Sequence, residues 1–171
     1  MTIRSILKRA TSLLGAAEGD PEVLPARPRL LDALDSALGE LARCFPLQAR
    51  CRIIVQDGAA ELPPTVLTPR GLYAEGKRVP FLLDGNLLLA EDGSYTLVYY
   101  RVPPEASGME ETAELPYPED LQRALPFYCA ALYIMGDDPA LYAKLMEQYN
   151  TKLAAALGYR PSASVEGGGS L

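Results

Sequence analysis

The sequence contains no histidine and no tryptophan, only three cysteines, and no apolar run approaching the roughly 18 residues that a membrane-spanning helix needs. Without histidine the chain lacks the commonest general base and metal ligand, and every Ser-His or Cys-His nucleophile pair is excluded with it. No apolar leader stretch opens the chain, so the composition points to a soluble cytoplasmic protein with no membrane association. The cysteines, Cys44, Cys51 and Cys129, are odd in number, and two lie among apolar neighbours. That pattern predicts reduced, buried thiols rather than a disulfide framework.

Motifs that carry chemistry are also missing. There is no P-loop, no dinucleotide-binding glycine pattern and no zinc or calcium spacing. Cys44 and Cys51 lack a third and fourth zinc ligand nearby, and the acidic turns at Asp84 to Asn86 and Asp137-Asp138 are explained by turn and cap chemistry. No Asp or Glu pair can be placed in a shared cleft, so no enzyme, cofactor or metal is expected.

What the chain does have is 49% hydrophobic residues in 171, enough for one domain with a real core, and a formal net charge of −6. That charge disfavours sequence-independent attraction to nucleic acid. It is unevenly placed: Glu105, Glu110, Glu111, Glu114, Glu119 and Asp120 follow one another without an intervening base. The run reads either as a solvated loop or as a surface that must not adhere to DNA.

The order of segments is informative. Ile3, Ile6, Leu7, Ala10, Leu13 and Leu14 define a short amphipathic helix with Thr2 as N-cap and Gly15 just past its end. Its Arg4, Lys8 and Arg9 are too few for a membrane anchor, so packing or partner docking is expected. AAEGDPEVLPARP, residues 16 to 28, reads as a linker, and a second helix is expected from Pro28 to Arg43 on the spacing of Leu30, Leu34, Ala37 and Leu41. From Cys51 to Val102 the turn signals Asp57-Gly58, Glu75-Gly76, Asp84-Gly85 and Asp92-Gly93 separate apolar runs, as in an antiparallel sheet. SYTLVYYRV reads as a central strand, with Tyr95, Leu97 and Tyr99 on one face and Val98, Tyr100 and Val102 on the other. Tyr95, Tyr99 and Tyr100 are core residues on this reading, with a nucleic-acid stacking platform as the alternative.

After the acidic run a helical region follows. Pro126 predicts a break there, Gly136 a stop, and Asp138-Pro139 the cap and first residue of a final helix. In that helix Leu141, Leu145, Met146, Tyr149, Leu153 and Leu157 form the expected buried stripe, with Lys144, Glu147, Gln148 and Lys152 facing water. The tail SASVEGGGSL is too rich in Gly and Ser to pack alone. It is either a simple disordered end or, through Val165 and Leu171 framing the glycines, a segment that adds to a neighbouring subunit. The expected fold is α+β: a helical bundle from the N- and C-terminal segments, a central antiparallel β-region at about 48–103 within one domain of residues 1–160, and a flexible C-terminal tail at 161–171.

Taken together, YTLVYYRVPPE, the following LPYPEDLQRALPFYCAALYIMGDDPALYAKLMEQYNTKL, and the tail VEGGGSL resemble the head-to-tail connector, or neck adaptor, proteins of tailed bacteriophages and prophages. The match is carried by Ala124, Leu125, Pro126, Tyr128, Ala130, Leu132, Asp137, Asp138 and Pro139. The resemblance implies a virion protein without enzymatic activity, made in the bacterial host cytoplasm. Its copies would form a homo-oligomeric ring, usually twelve-fold, beneath the portal protein and above tail or neck proteins, with DNA passing through without specific binding. On that reading Val165, Gly167, Gly168, Gly169 and Leu171 dock on the portal, and Glu105, Glu110, Glu111 and Glu114 are candidate channel-lining carboxylates. The alternatives are a tail-terminator or tail-completion protein, and a cytoplasmic nucleic-acid-binding module that uses the Tyr-bearing sheet.

Overall fold

The computed structural model describes residues 1–16 and 23–158. The fold is α+β, with helices drawn from both ends of the chain and antiparallel strands between them. The chain divides into two compact units, one formed by Met1–Ala37 with the chain from Glu105 onward, the other by Leu38–Pro104.

In the helical unit, α1 covers Ile3–Leu13. Thr2 caps it as expected, its hydroxyl accepting from the Ser5 N–H, and Gly15 takes the left-handed φ of +81° just past the end. Helix α2 covers Val23–Cys44, so it starts five residues before the expected Pro28 and encloses that proline. The linker expectation is corrected for residues 23–28, because the helix continues N-terminal to Pro28 despite the backbone hydrogen bond that proline removes; residues 17–22 lie outside the described residues. Leu30, Leu34, Leu38 and Leu41 are almost wholly buried along it, each contributing about 1.5–3 kcal/mol.

The break near Pro126 is present: α3 is the single turn Glu119–Gln122, and α4, Leu125–Ile134, starts afresh with Pro126 in its first turn, where a missing N–H costs nothing. Helix α4 ends at Ile134, two residues before Gly136. Asp138 then accepts from the N–H groups of Ala140 and Leu141 at 3.1 and 2.9 Å and opens α5, Pro139–Ala156. The expected stripe on α5 is only partly buried. Leu145 and Tyr149 are in the core, Tyr149 meeting Tyr128 edge to face at 4.9 Å, whereas Leu141, Met146 and Leu153 are half-buried and Leu157 is exposed. Lys152, expected in water, is half-buried over the Phe127 ring.

The second unit holds two antiparallel sheets rather than one. The strands are β1 (Gln48–Val55), β2 (Ala59–Glu61), β3 (Val66–Ala74), β4 (Lys77–Val79), β5 (Leu82–Asp84), β6 (Leu87–Leu89) and β7 (Gly93–Arg101). Their order is β1-β7-β3-β4 in one sheet and β2-β6-β5 in the other. Asp57-Gly58 and Glu75-Gly76 both take positive φ and make two-residue hairpin turns of the type that matches strand twist. Asp92-Gly93 does not form a hairpin. There the chain leaves β6 in one sheet for β7 in the other, and the Asp92 carboxylate accepts from the Gly58 N–H at 2.8 Å. Ile53, Val55, Leu72, Leu97 and Tyr99 of the larger sheet pack with Leu62 and Leu88, making this unit's core.

Candidate functional site

The first N–H groups of a helix have no partner within it, and α1 finds its partners in the acidic segment. The Ile3 N–H donates to the Ala113 carbonyl at 3.2 Å and the Arg4 N–H to the Glu111 carbonyl at 2.9 Å, with Thr2 bridging to Glu114. Residues 111–114 are therefore clamped to the start of α1 rather than running free. The Asp35 carboxylate holds the preceding turn, accepting from Ala106 N–H at 2.5 Å and Ser107 N–H at 3.4 Å. Buried Gln122 completes the arrangement: its amide donates to the carbonyls of Leu115 and Tyr117 and accepts from the Met1 ammonium.

The side chains of this segment divide into two groups. Glu111 is half-buried and paired with both Arg4 and Arg27, while Glu119 and Asp120 pair with Arg123. Glu105, Glu110 and Glu114 are exposed and have no ion pair among the described residues. Three of the four candidate channel carboxylates are thus available to solvent, and Glu111 is neutralised by two guanidinium groups. The tail residues Val165, Gly167, Gly168, Gly169 and Leu171 lie outside the described residues.

The tyrosine strand places its rings on opposite faces. Tyr99 is 6% exposed in the core and Tyr95 packs against the same cluster, its hydroxyl donating to the Glu91 carbonyl. Tyr100 points the other way, half-buried beneath the Arg70 guanidinium at 5.0 Å. Tyr95, Tyr99 and Tyr100 therefore do not share one stacking surface.

Cysteine expectations also need correction. Cys129 is buried, but Cys44 is exposed at the last residue of α2 and Cys51 is half-buried on β1; all three are free thiols. Burial pushes the Cys129 and Cys51 thiols above their ordinary range.

A site that the sequence reading missed lies on the outer face of the larger sheet. In β1 the outward positions are Gln48, Arg50, Arg52 and Ile54, set opposite Tyr100, Val98, Thr96 and Ser94 of β7. Val98 and Thr96 are in turn opposite Gly71 and Tyr73 of β3, and Tyr73 is opposite Arg78 of β4. Arg70 sits at a register shift between Pro69 and Gly71, and its stacking on Tyr100 brings it to this face. A Cβ at Gly71 would lie 2.8 Å from the Tyr73 ring, so a side chain there would have to displace it. Arg50, Arg52, Arg70 and Arg78 are all exposed, and none is ion-paired among the described residues. Two are held in place: Arg52 donates to the Ser94 hydroxyl at 2.8 Å, and Arg78 to the Arg70 carbonyl at 3.2 Å. The alternation Arg50-Cys51-Arg52 was a visible signal, but Arg70 and Arg78 join it only through strand order.

Elsewhere, a shallow groove lined by Arg29, Asp32, Ser36, Leu132, Tyr133 and Met135 lies in the helical unit, with the Arg29 guanidinium over the Tyr133 ring at 4.7 Å. Among the described residues no group of His, Cys, Asp or Glu is arranged to hold a metal ion, and no helix is long and apolar enough to cross a membrane. No protein-family model matches the chain, and no curated protein matches it.

Proposed function

We propose that the chain is a structural protein of the neck of a tailed-phage virion, made in the host cytoplasm and assembled as a homo-oligomeric ring. The ring joins the portal protein to tail or neck proteins, and DNA passes through it without specific binding. Besides the resemblance carried by residues 124–139, one structural observation carries the assembly reading. Of the nine large hydrophobic residues that stay exposed among the described residues, seven belong to the unit Leu38–Pro104, with Leu82 at 71%, Leu67 at 57%, Ile54 at 56% and Leu83 at 50%. Leu82 and Leu83 form most of β5, whose outer edge has no strand beside it among the described residues. Apolar side chains gathered on an open sheet edge mark a surface meant to be covered.

The test is the mass of the purified chain alone and after mixing with a portal ring, by native mass spectrometry. One copy added per portal subunit is the expected result, and deletion of residues 162–171 should abolish the addition while leaving circular dichroism unchanged. A chain that ignores portal rings at high concentration overturns the reading, and one that instead caps a purified tail tube moves it to the tail-terminator station.

A further inference from the structure

We infer that the outer face of the β1-β7-β3-β4 sheet is a docking surface for the acidic segment, residues 105–114, of a second copy of this chain. The inference rests on the ring reading in one respect, that copies of the chain meet one another, and it assigns the two faces that meet.

Charge distribution carries it. The unit Leu38–Pro104 contains equal numbers of basic and acidic residues, so the whole net charge of −6 belongs to the other unit. Within the neutral unit, four exposed arginines without carboxylate partners among the described residues are gathered on one sheet face: Arg50, Arg52, Arg70 and Arg78. Within the acidic unit, Glu105, Glu110 and Glu114 are exposed and have no ion pair among the described residues, on a backbone held in place by α1 and Asp35. Each surface has what the other lacks.

The dimensions limit how much of the face one segment covers. Four strands span three inter-strand steps, about 14 Å across the face. Residues 110–113 fold into a turn, the Ala113 N–H donating to the Glu110 carbonyl at 2.9 Å, so Glu110 and Glu114 lie closer together than that width. Their carboxylates can meet neighbouring guanidinium groups, Arg50 with Arg52 on β1 or Arg70 with Arg78 on β3 and β4. Stacked Arg70 and hydrogen-bonded Arg52 are already ordered, so little side-chain entropy is lost on contact. Ile54, 56% exposed on the same face, adds apolar area beside the charges. A contact in which one patch meets a different patch on the next copy is heterologous, the kind that closes into a ring. Nucleic acid is the other polyanion of matching charge, but it would have to approach a chain that is itself strongly negative.

The experiment is a charge swap followed by complementation, read by sedimentation of the full-length chain at low salt. One variant carries Arg50→Glu and Arg70→Glu, the other Glu110→Arg and Glu114→Arg. Each alone should need about tenfold or more higher concentration than wild type to associate, because like charges now face each other. An equimolar mixture should recover association, since each reversed face then finds a reversed segment. Recovery also shows that neither variant is misfolded, and thermal melts of each provide a second check. Unchanged association of the single variants, or no recovery in the mixture when both melt normally, overturns the inference while leaving the ring reading intact. A wild-type chain that stays monomeric also overturns it, the ring reading then being decided by addition to portal. Retention of a fluorescent oligonucleotide by wild type, lost with Arg50→Glu and Arg70→Glu, assigns the face to nucleic acid instead.

Discussion

Replacing Gln122 with leucine tests how the acidic segment is anchored. The residue is 4% exposed and its amide serves three partners: the Leu115 carbonyl at 3.1 Å, the Tyr117 carbonyl at 2.5 Å and the Met1 ammonium at 2.7 Å. Leucine matches it in size, so no large cavity opens, but both carbonyls lose their donor in a site where Leu115 and Tyr117 are themselves buried. An unsatisfied buried carbonyl costs about 1–3 kcal/mol, whereas the half-exposed ammonium can turn to water. After about 1 kcal/mol returned by leucine's greater apolar area, the expected loss is roughly 2–4 kcal/mol. Urea unfolding followed by far-ultraviolet circular dichroism reads it directly. With a slope of about 1–3 kcal/mol per molar, the midpoint should fall by about 1–2 M. Gln122→Glu keeps an acceptor for Met1 but loses the donor, and at neutral pH should cost at least as much as leucine. A loss below about 0.5 kcal/mol for Gln122→Leu, the range of ordinary surface changes, would refute the claim that these bonds hold the segment.

Two further outcomes follow from the helices. Burial raises the Cys129 pKa above the 9.0 of an unfolded thiol, so the unfolded state ionises first, and the thiol's contribution is present below that pH and declines above it. The stability difference between wild type and Cys129→Ala should therefore shrink by about 1 kcal/mol from pH 8.5 to 10, and an unchanged difference in denaturant titrations refutes the assignment. Pro28→Ala restores an N–H inside α2 at an exposed position, and should raise stability by about 1–2 kcal/mol in the same titration; a loss would mean that the proline is required there.

Features decided by neighbours in the chain were legible from the residues themselves. Thr2, Asp138-Pro139 and Pro126 act within one helical turn, and Asp57-Gly58 and Glu75-Gly76 make their hairpins through the φ values of two adjacent residues. Hydrophobic period placed β7 between two other strands, as found, but its outer face is only partly covered, Ser94 and Thr96 being exposed there. What depends on partners distant in sequence was not legible. The early start of α2, the division of the strands into two sheets, and the capture of Glu111 by Arg4 and Arg27 each need contacts that no local pattern encodes. The arginine face shows the limit most clearly. Arg50, Arg52, Arg70 and Arg78 stand on three strands, and they form one surface only because β1 and β3 flank β7 and a register shift turns Arg70 outward. Sequence determines which side chains exist and what each turn and cap can do; only tertiary pairing decides which of them become neighbours, because strand order and register are set by the burial of the whole core.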